Sequence, residues 1–247
     1  MGTHPMPTSP PPDPALTTSI AERAARVRDR IAEAAHRAGR DPREVTLVAV
    51  TKTRPLETVR AAVAAGLRDL GENRVQELVE KSDAMPGESA GGAVRWHLIG
   101  SLQRNKARDA AARADLFHAL DSLRLANALD KWAAQAGRVL PVLVQVNISD
   151  EDAKHGLAPD ATPDLLAAVG ERPNLRLVGL MGMAAIAKDE GDLDRVVRPA
   201  FQRLRRLYDD APAPLSVLSM GMSGDFGVAV EEGATHVRVG TALFGPR

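Results

Sequence analysis

Short apolar runs alternate with helix-compatible stretches along almost the whole chain, and that alternation restricts its possible folds more than any other feature. The first run, Val45-Thr46-Leu47-Val48-Ala49-Val50-Thr51-Lys52, has the length and β-branched content of a buried strand and stops before Thr53-Arg54-Pro55. The others are Leu67–Leu70, Val94–Ile99, Leu116–Ala119, Val139–Ile148, Leu175–Met181, Leu215–Leu218 and Thr235–Val239, which makes eight strand candidates. Helices are expected between them: about Leu56–Ala65, Arg74–Lys81, Leu102–Ala112, Leu123–Ala136, Pro163–Val169, Leu193–Tyr208 and Gly224–Glu232. Ahead of the first strand, Ser19–Ala38 reads as an amphipathic helix with Ile20, Ala24, Val27, Ile31 and Ala34/Ala35 on one stripe, stopped by Gly39.

Strands that alternate with helices pair in parallel through right-handed crossovers. Eight such units fit a single-domain (β/α)8 TIM barrel, which typically uses about 250 residues. A doubly wound open sheet is the alternative, but it usually carries fewer strands, and no G-x-G-x-x-G turn follows the first strand. The first 14 residues are rich in Pro, Ser and Thr and lack the apolar stretch of a signal peptide, so they read as disordered. The expected organisation is a Pro-rich tail over residues 1–18 and one barrel domain over 19–247, with Ser82–Gly92 as a flexible internal loop.

Composition narrows the function. The 32 basic and 32 acidic residues cancel, which argues against a general nucleic-acid binder. Cysteine is absent, which removes thiolate chemistry and fits a reducing, cytoplasmic setting. No stretch approaches the roughly 18 apolar residues of a membrane helix. His97, His118, His155 and His236 show no metal-ligand spacing, so no metal is expected. Lys106 and Arg108, like Arg203, Arg205 and Arg206, read as solvated helix faces.

In a barrel the ligand site lies at the C-terminal strand ends. Lys52 ends strand 1, where a buried ammonium is costly unless it is paired or converted to a Schiff base with a carbonyl cofactor. Strand 2 ends in Gly71-Glu72-Asn73, strand 3 in His97-Leu98-Ile99-Gly100, and strand 4 at Asp121. The ends of strands 7 and 8, the usual phosphate site of this architecture, hold Ser219, Gly221, Ser223, Gly224, Gly240 and Thr241. In His236-Val237-Arg238-Val239-Gly240 the valines can pack outward on helices, which turns Arg238 inward. Its partner is then either a carboxylate such as Asp121 or the acceptor nitrogen of a heteroaromatic ligand. An amine, an anion cradle and an inward guanidinium match the aldehyde, phosphate and pyridine nitrogen of pyridoxal 5′-phosphate.

The chain also resembles the pyridoxal-phosphate-binding homeostasis proteins (the YggS/PROSC type), whose fold is similar to the N-terminal barrel of alanine racemase. The stretches that carry the resemblance are LVAVTKTRP at 47–55, GENRVQE at 71–77, WHLIGSLQRNKAR at 96–108, VLVQVNISDEDAKHG at 142–156, LVGLMGM at 177–183, SMGMSGDF at 219–226 and VRVGTALFG at 237–245. The resemblance covers about residues 19–247. It implies that Lys52 is the Schiff-base lysine and that Asn73, Ile99, Gly100 and Met222 belong to the cofactor pocket. It further implies that Ser219, Ser223, Gly240 and Thr241 form the phosphate cup and that Arg238 meets the pyridine nitrogen. Some members carry a second acidic residue in place of Gly224.

Binding and buffering of the cofactor without established turnover is the implied role, in a monomer that meets apo-enzymes transiently. A small amino-acid racemase is the alternative, and a barrel for some other phosphorylated ligand is a third reading. Racemisation needs a base on each face of the cofactor. The chain's only tyrosine, Tyr208, sits on a helix with Leu204 and Leu207 and is expected to pack against the barrel wall. Lys154, in the loop after strand 5, is weighed as a second amine for cofactor transfer against the simpler reading of a solvated charged loop.

Overall fold

The structure, a computed structural model, describes residues 11–85, 94–149 and 156–246. Eight parallel strands close into a barrel in chain order: β1 (Thr46–Val50), β2 (Asp69–Glu72), β3 (Arg95–Leu98), β4 (Leu116–Leu120), β5 (Leu140–Val146), β6 (Leu175–Gly182), β7 (Val217–Ser219) and β8 (His236–Val239). Closure comes from β1 and β8, which pair with Thr46 beside His236 and Val48 beside Arg238. The helices that ring it are α2 (Leu56–Ala64), α3 (Val75–Ala84), α4 (Ala107–Arg113), α5 (Leu123–Gln135), α6 (Thr162–Gly170), α7 (Glu190–Asp192), α8 (Arg198–Asp209), α9 (Phe226–Glu231) and α10 (Thr241–Phe244), preceded by α1 (Pro14–Arg37). The barrel expected from the alternation is the fold observed.

Two layers of different chemistry make up the interior. Between strands and helices lies an apolar layer of Ala, Val and Leu with a few large rings, among them Phe117, Phe201 and Phe226. Inside the barrel lies a set of buried polar side chains, Asp69, His97, His118, Gln145, Ser219 and Arg238, whereas Glu72 faces outward to Lys81 on α3. Strand alternation produces the division. Val237 and Val239 join the apolar layer, and Arg238 between them is turned inward.

Element boundaries shift where local chemistry competes with hydrophobic pattern. Helix α1 starts at Pro14, within the stretch read as tail, because Asp13 accepts the Ala15 amide at 2.9 Å and Pro14 occupies the first turn. Residues 1–10 of that tail lie outside the described residues. Strand β2 begins at Asp69 rather than Leu67. The Leu67 amide donates back to Ala62 and Gly66 takes φ +87°, so Leu67 completes the stop of α2. The helix expected at Leu102 begins at Ala107, after a 3-10 turn over Arg104–Lys106. The long helix expected at Leu193–Tyr208 is broken by a π turn over Leu193–Val197 just ahead of Pro199, which has no amide to continue the ladder. Of the expected loop at Ser82–Gly92, residues 86–93 lie outside the described residues.

Strand β6 approaches β7 so closely that a Cβ at Gly179 would lie 1.7 Å from the Val217 carbonyl oxygen. Gly179→Ala is therefore expected to cost about 3 kcal/mol or more in urea unfolding, at the upper end of overpacking penalties. Gly227→Ala, on α9 with nothing within 4 Å of its added Cβ, serves as the control. It is expected to stabilise by about 0.5–1 kcal/mol.

Candidate functional site

The C-terminal strand ends surround one cavity of ≈ 400 Å³. Lys52, Asn73, Ile99, Gly100, Met222, Ser223, Arg238, Gly240 and Thr241, all singled out from the sequence, line it together with Gly224. Val50, Arg54, Ser101, Gln145 and Met183 line it as well and were not singled out as site residues. Gln145 had a readable signal, a lone polar residue in the buried run Val142-Leu143-Val144-Gln145-Val146. Val50, Arg54 and Ser101 lie one or two positions from residues that were identified, and Met183 lies one residue past β6; none carries a separate signal.

Lys52 sits two residues past β1 and is half-buried. A tight turn presents it, with the Arg54 amide donating to the Thr51 carbonyl at 3.0 Å. Thr53 takes φ +61°, a region that a β-branched residue enters only when held there. The holder is Glu77 on α3, whose Oε2 accepts the Thr53 amide at 2.6 Å. Beneath the turn lies a buried ion pair. Lys81 donates to Glu72 Oε1 at 2.7 Å, to the Thr51 carbonyl at 2.8 Å and to Glu77 Oε2 at 3.2 Å. Thr51 Oγ1 also donates to Glu72 Oε1, at 2.6 Å. Burial pushes the Glu72 carboxyl upward, against the pull of Lys81 and Thr51, and its Oε2 has no hydrogen-bond partner among the described residues.

Arg238 is 4% exposed and forms no salt bridge among the described residues. Asp121, considered as its carboxylate partner, does not pair with it. Its Nη1 donates to Ser219 Oγ at 2.6 Å and its Nη2 to the Gly182 carbonyl at 3.0 Å. Burial lowers it to about 10, and the field of Asp225 opposes that shift. Ser219, placed in the phosphate cup by the sequence reading, is instead fully buried in this bond and does not line the cavity. Strand alternation explains the difference, because β7 ends at Ser219 with the hydroxyl inside the barrel, and the chain reaches the mouth only at Met222-Ser223.

The loops after β7 and β8 are tied through Ser223, whose Oγ accepts the Gly240 and Ala242 amides, each at 3.3 Å. Its lone pairs are thereby engaged, and its hydroxyl proton is left to donate. Asp225 Oδ1 accepts the Met222 amide at 2.5 Å and shapes the first of these loops. Gly100 is required for another close approach, since a Cβ there would lie 2.3 Å from the Asn73 carbonyl oxygen.

Tyr208 does not line the cavity, and its hydroxyl donates to the Leu215 carbonyl at 2.7 Å on the barrel's outer side. Lys154 and His155 lie outside the described residues. No cluster of His, Asp or Glu among the described residues has the arrangement of a metal site, and none of their helices is long and apolar enough to cross a membrane.

Residues 23–247 match the family described as alanine racemase, N-terminal domain. A Pseudomonas aeruginosa protein described as a pyridoxal phosphate homeostasis protein is 46% identical over 231 residues, covering 93% of this chain and 96% of its own. The protein of that description from Escherichia coli K12 is 42% identical over 92% of this chain and 97% of its own. PipY of Synechococcus elongatus, solved with PLP bound, superposes with a TM-score of 0.76 at 36% identity, over 92% of this chain and 100% of that one. Alanine racemase of Clostridium difficile, at 14% identity and a TM-score of 0.69 over 93% of this chain and 57% of its own, shares the fold.

Removing the cation below the Lys52 turn tests how far that turn depends on it. Lys81→Met leaves Glu72 charged and alone, which is expected to cost about 3–5 kcal/mol at neutral pH. Glu72 is already raised in the folded state, so ionising it works against folding. The deficit should therefore shrink as the pH falls toward the ordinary glutamate value of about 4. Urea melts of both proteins at several pH values measure it, and a deficit that grows on acidification would contradict this account.

Proposed function

This chain belongs to the pyridoxal phosphate homeostasis protein family, built on the alanine racemase N-terminal domain, and we propose that it holds pyridoxal 5′-phosphate reversibly in the cavity at the barrel mouth. The observation that carries the proposal is Arg238, a buried guanidinium at the cavity with no ion pair among the described residues. Such a charge calls for an acceptor on the ligand. The pyridine nitrogen of this cofactor is one, and the ≈ 400 Å³ space is within the range of small-molecule sites.

When bound, the cofactor supplies an aldehyde carbon that an amine can capture reversibly. Lys52 provides that amine. Ser223 and Thr241 contribute hydroxyls, and Gly224 and Gly240 allow close backbone approach, so these loops are suited to the phosphate. Asn73, Ile99, Gly100 and Met222 form the remaining wall. Arg238, lowered only to about 10, keeps its proton at neutral pH and donates to the ring nitrogen without protonating it. That favours holding the ring over using it as an electron sink.

The same residues speak against the racemase reading. Among the described residues lining the cavity, Lys52 is the one amine, and the other basic side chains, Arg54 and Arg238, are guanidiniums, which are poor proton carriers. Among the described residues a second base on the opposite face is not provided, and Tyr208 is committed elsewhere. The protein is a carrier and buffer of the cofactor, a cytoplasmic monomer that meets apo-enzymes transiently.

Titration with pyridoxal phosphate should produce a visible absorption band. Borohydride reduction followed by peptide mass spectrometry should place the adduct on Lys52 and leave Lys81 unmodified, and Lys52→Ala should abolish it. Wild-type protein that stays colourless, or an adduct scattered over several lysines, would sink the proposal. Sustained interconversion of amino-acid enantiomers by the purified protein would favour the racemase.

A further inference from the structure

Beneath the cavity a continuous chain of buried polar groups crosses the barrel. From Arg238 on β8, the 2.6 Å bond from Nη1 reaches Ser219 Oγ on β7. Ser219 Oγ lies 3.0 Å from His118 Nδ1 on β4. His118 Nε2 lies 2.9 Å from His97 Nδ1 on β3. His97 Nε2 lies 3.0 Å from Asp69 Oδ1, at the first residue of β2 and thus at the end of the barrel opposite the cavity. Arg95 closes that end with a two-pronged contact, Nε to Asp69 Oδ1 at 2.7 Å and Nη2 to Oδ2 at 2.6 Å. Every member from Asp69 to Arg238 is buried.

Counting protons gives the chain a direction. Burial alone would raise the Asp69 carboxyl, but the bonds from His97 and Arg95 hold it at about 2, so it only accepts. His97 therefore carries a proton on Nε2. Burial, reinforced by the charge of Arg238, keeps His118 neutral, so it carries one ring proton. With that proton on Nε2, His118 donates to His97 and accepts the Ser219 hydroxyl through Nδ1. Ser219 then offers its lone pairs to Arg238, and every ring nitrogen and the Ser219 hydroxyl has a matched partner. In the reverse arrangement both His118 and Arg238 would donate to Ser219, whose hydroxyl proton would have no acceptor among the described residues. The nearby His236 does not disturb this order. Its Nδ1 pairs with Thr235 Oγ1 at 3.0 Å, and burial lowers it to about 4, so it too is neutral.

We propose that Ser219, His118, His97 and Asp69 are positioning residues for Arg238, forming a one-directional donor chain that pins the guanidinium so that its remaining N–H groups meet the acceptor nitrogen of the ligand ring. The proposal rests on the pyridoxal phosphate reading for the identity of that ring. A carboxylate placed directly against Arg238 would occupy its donor fork two bonds at a time and neutralise it. The relay takes one N–H, leaves the charge available to the ligand and puts the carboxylate at the far end of the barrel. Polarisation along an aligned chain also makes Ser219 a better acceptor for Arg238.

Two measurements decide it. In cofactor-free protein labelled with 15N-histidine, the ring nitrogen shifts should place the proton of both His97 and His118 on Nε2 and leave both Nδ1 atoms as acceptors. A proton on Nδ1 of either ring overturns the chain. Separately, Ser219→Ala and Asp69→Asn should each weaken pyridoxal phosphate binding by about tenfold, the size of a lost charge-assisted bond. Binding of the analogue with CH in place of the ring nitrogen should stay unchanged in both variants, because that ligand offers Arg238 nothing to accept. Equal weakening for the two ligands would reduce the chain to a structural role. The tautomers do not depend on either variant folding. If the wild-type protein binds neither ligand, the function assigned above fails, and the histidine tautomers still decide the chain.

Discussion

The guanidinium of Arg238 governs how this barrel is built. A charge held inside a sheet costs several kcal/mol unless the surroundings answer it. A barrel of this type usually fills its interior with branched apolar side chains, and those could not answer it. Here the interior carries buried polar groups from β2, β3, β4, β5, β7 and β8 beside apolar ones such as Val48, and most of the apolar core lies in the layer beneath the helices. The fold tolerates this because strand alternation lets one strand serve both layers. Val237 and Val239 give β8 its hydrophobic anchorage while Arg238 faces the axis.

How far this was legible differs from residue to residue. The alternation that turns Arg238 inward is written in five consecutive letters, and the barrel follows from eight repeats of one pattern. Once the barrel is granted, the strand ends name most of the cavity wall. What escaped depends on contacts distant in the chain. Ser219 lies next to residues that do line the cavity, and only the length of β7 decides that its hydroxyl points down to Arg238 rather than up to a ligand. His97, His118 and His236 show no metal spacing in the sequence, and their positions give no hint of another role. Their actual partners, Asp69, Ser219 and Thr235, are ordinary residues on neighbouring strands, and no local pattern announces them. Boundaries failed for a simpler reason. Asp13-Pro14 and Ala65-Gly66-Leu67 are capping signals, and they outweigh the composition and hydrophobicity on which those boundaries were drawn.

The mouth of the barrel also has to choose between two amines. Lys52 and Lys81 both lie close to the end of β1, yet their surroundings make them chemically unequal. All three ammonium protons of Lys81 are committed, to the Thr51 carbonyl, Glu72 and Glu77, and the side chain is 7% exposed. An amine must reach a carbonyl to attack it, and Lys81 is held beneath the turn by these three bonds and does not line the cavity. Lys52 faces the cavity on a turn whose geometry this ion pair enforces, through the Thr51 carbonyl on one side and, by way of Glu77, the Thr53 amide on the other. The buried lysine is thus the support of the turn that carries Lys52 into the cavity. The same carboxylates that immobilise Lys81 hold the turn from which Lys52 faces the cavity.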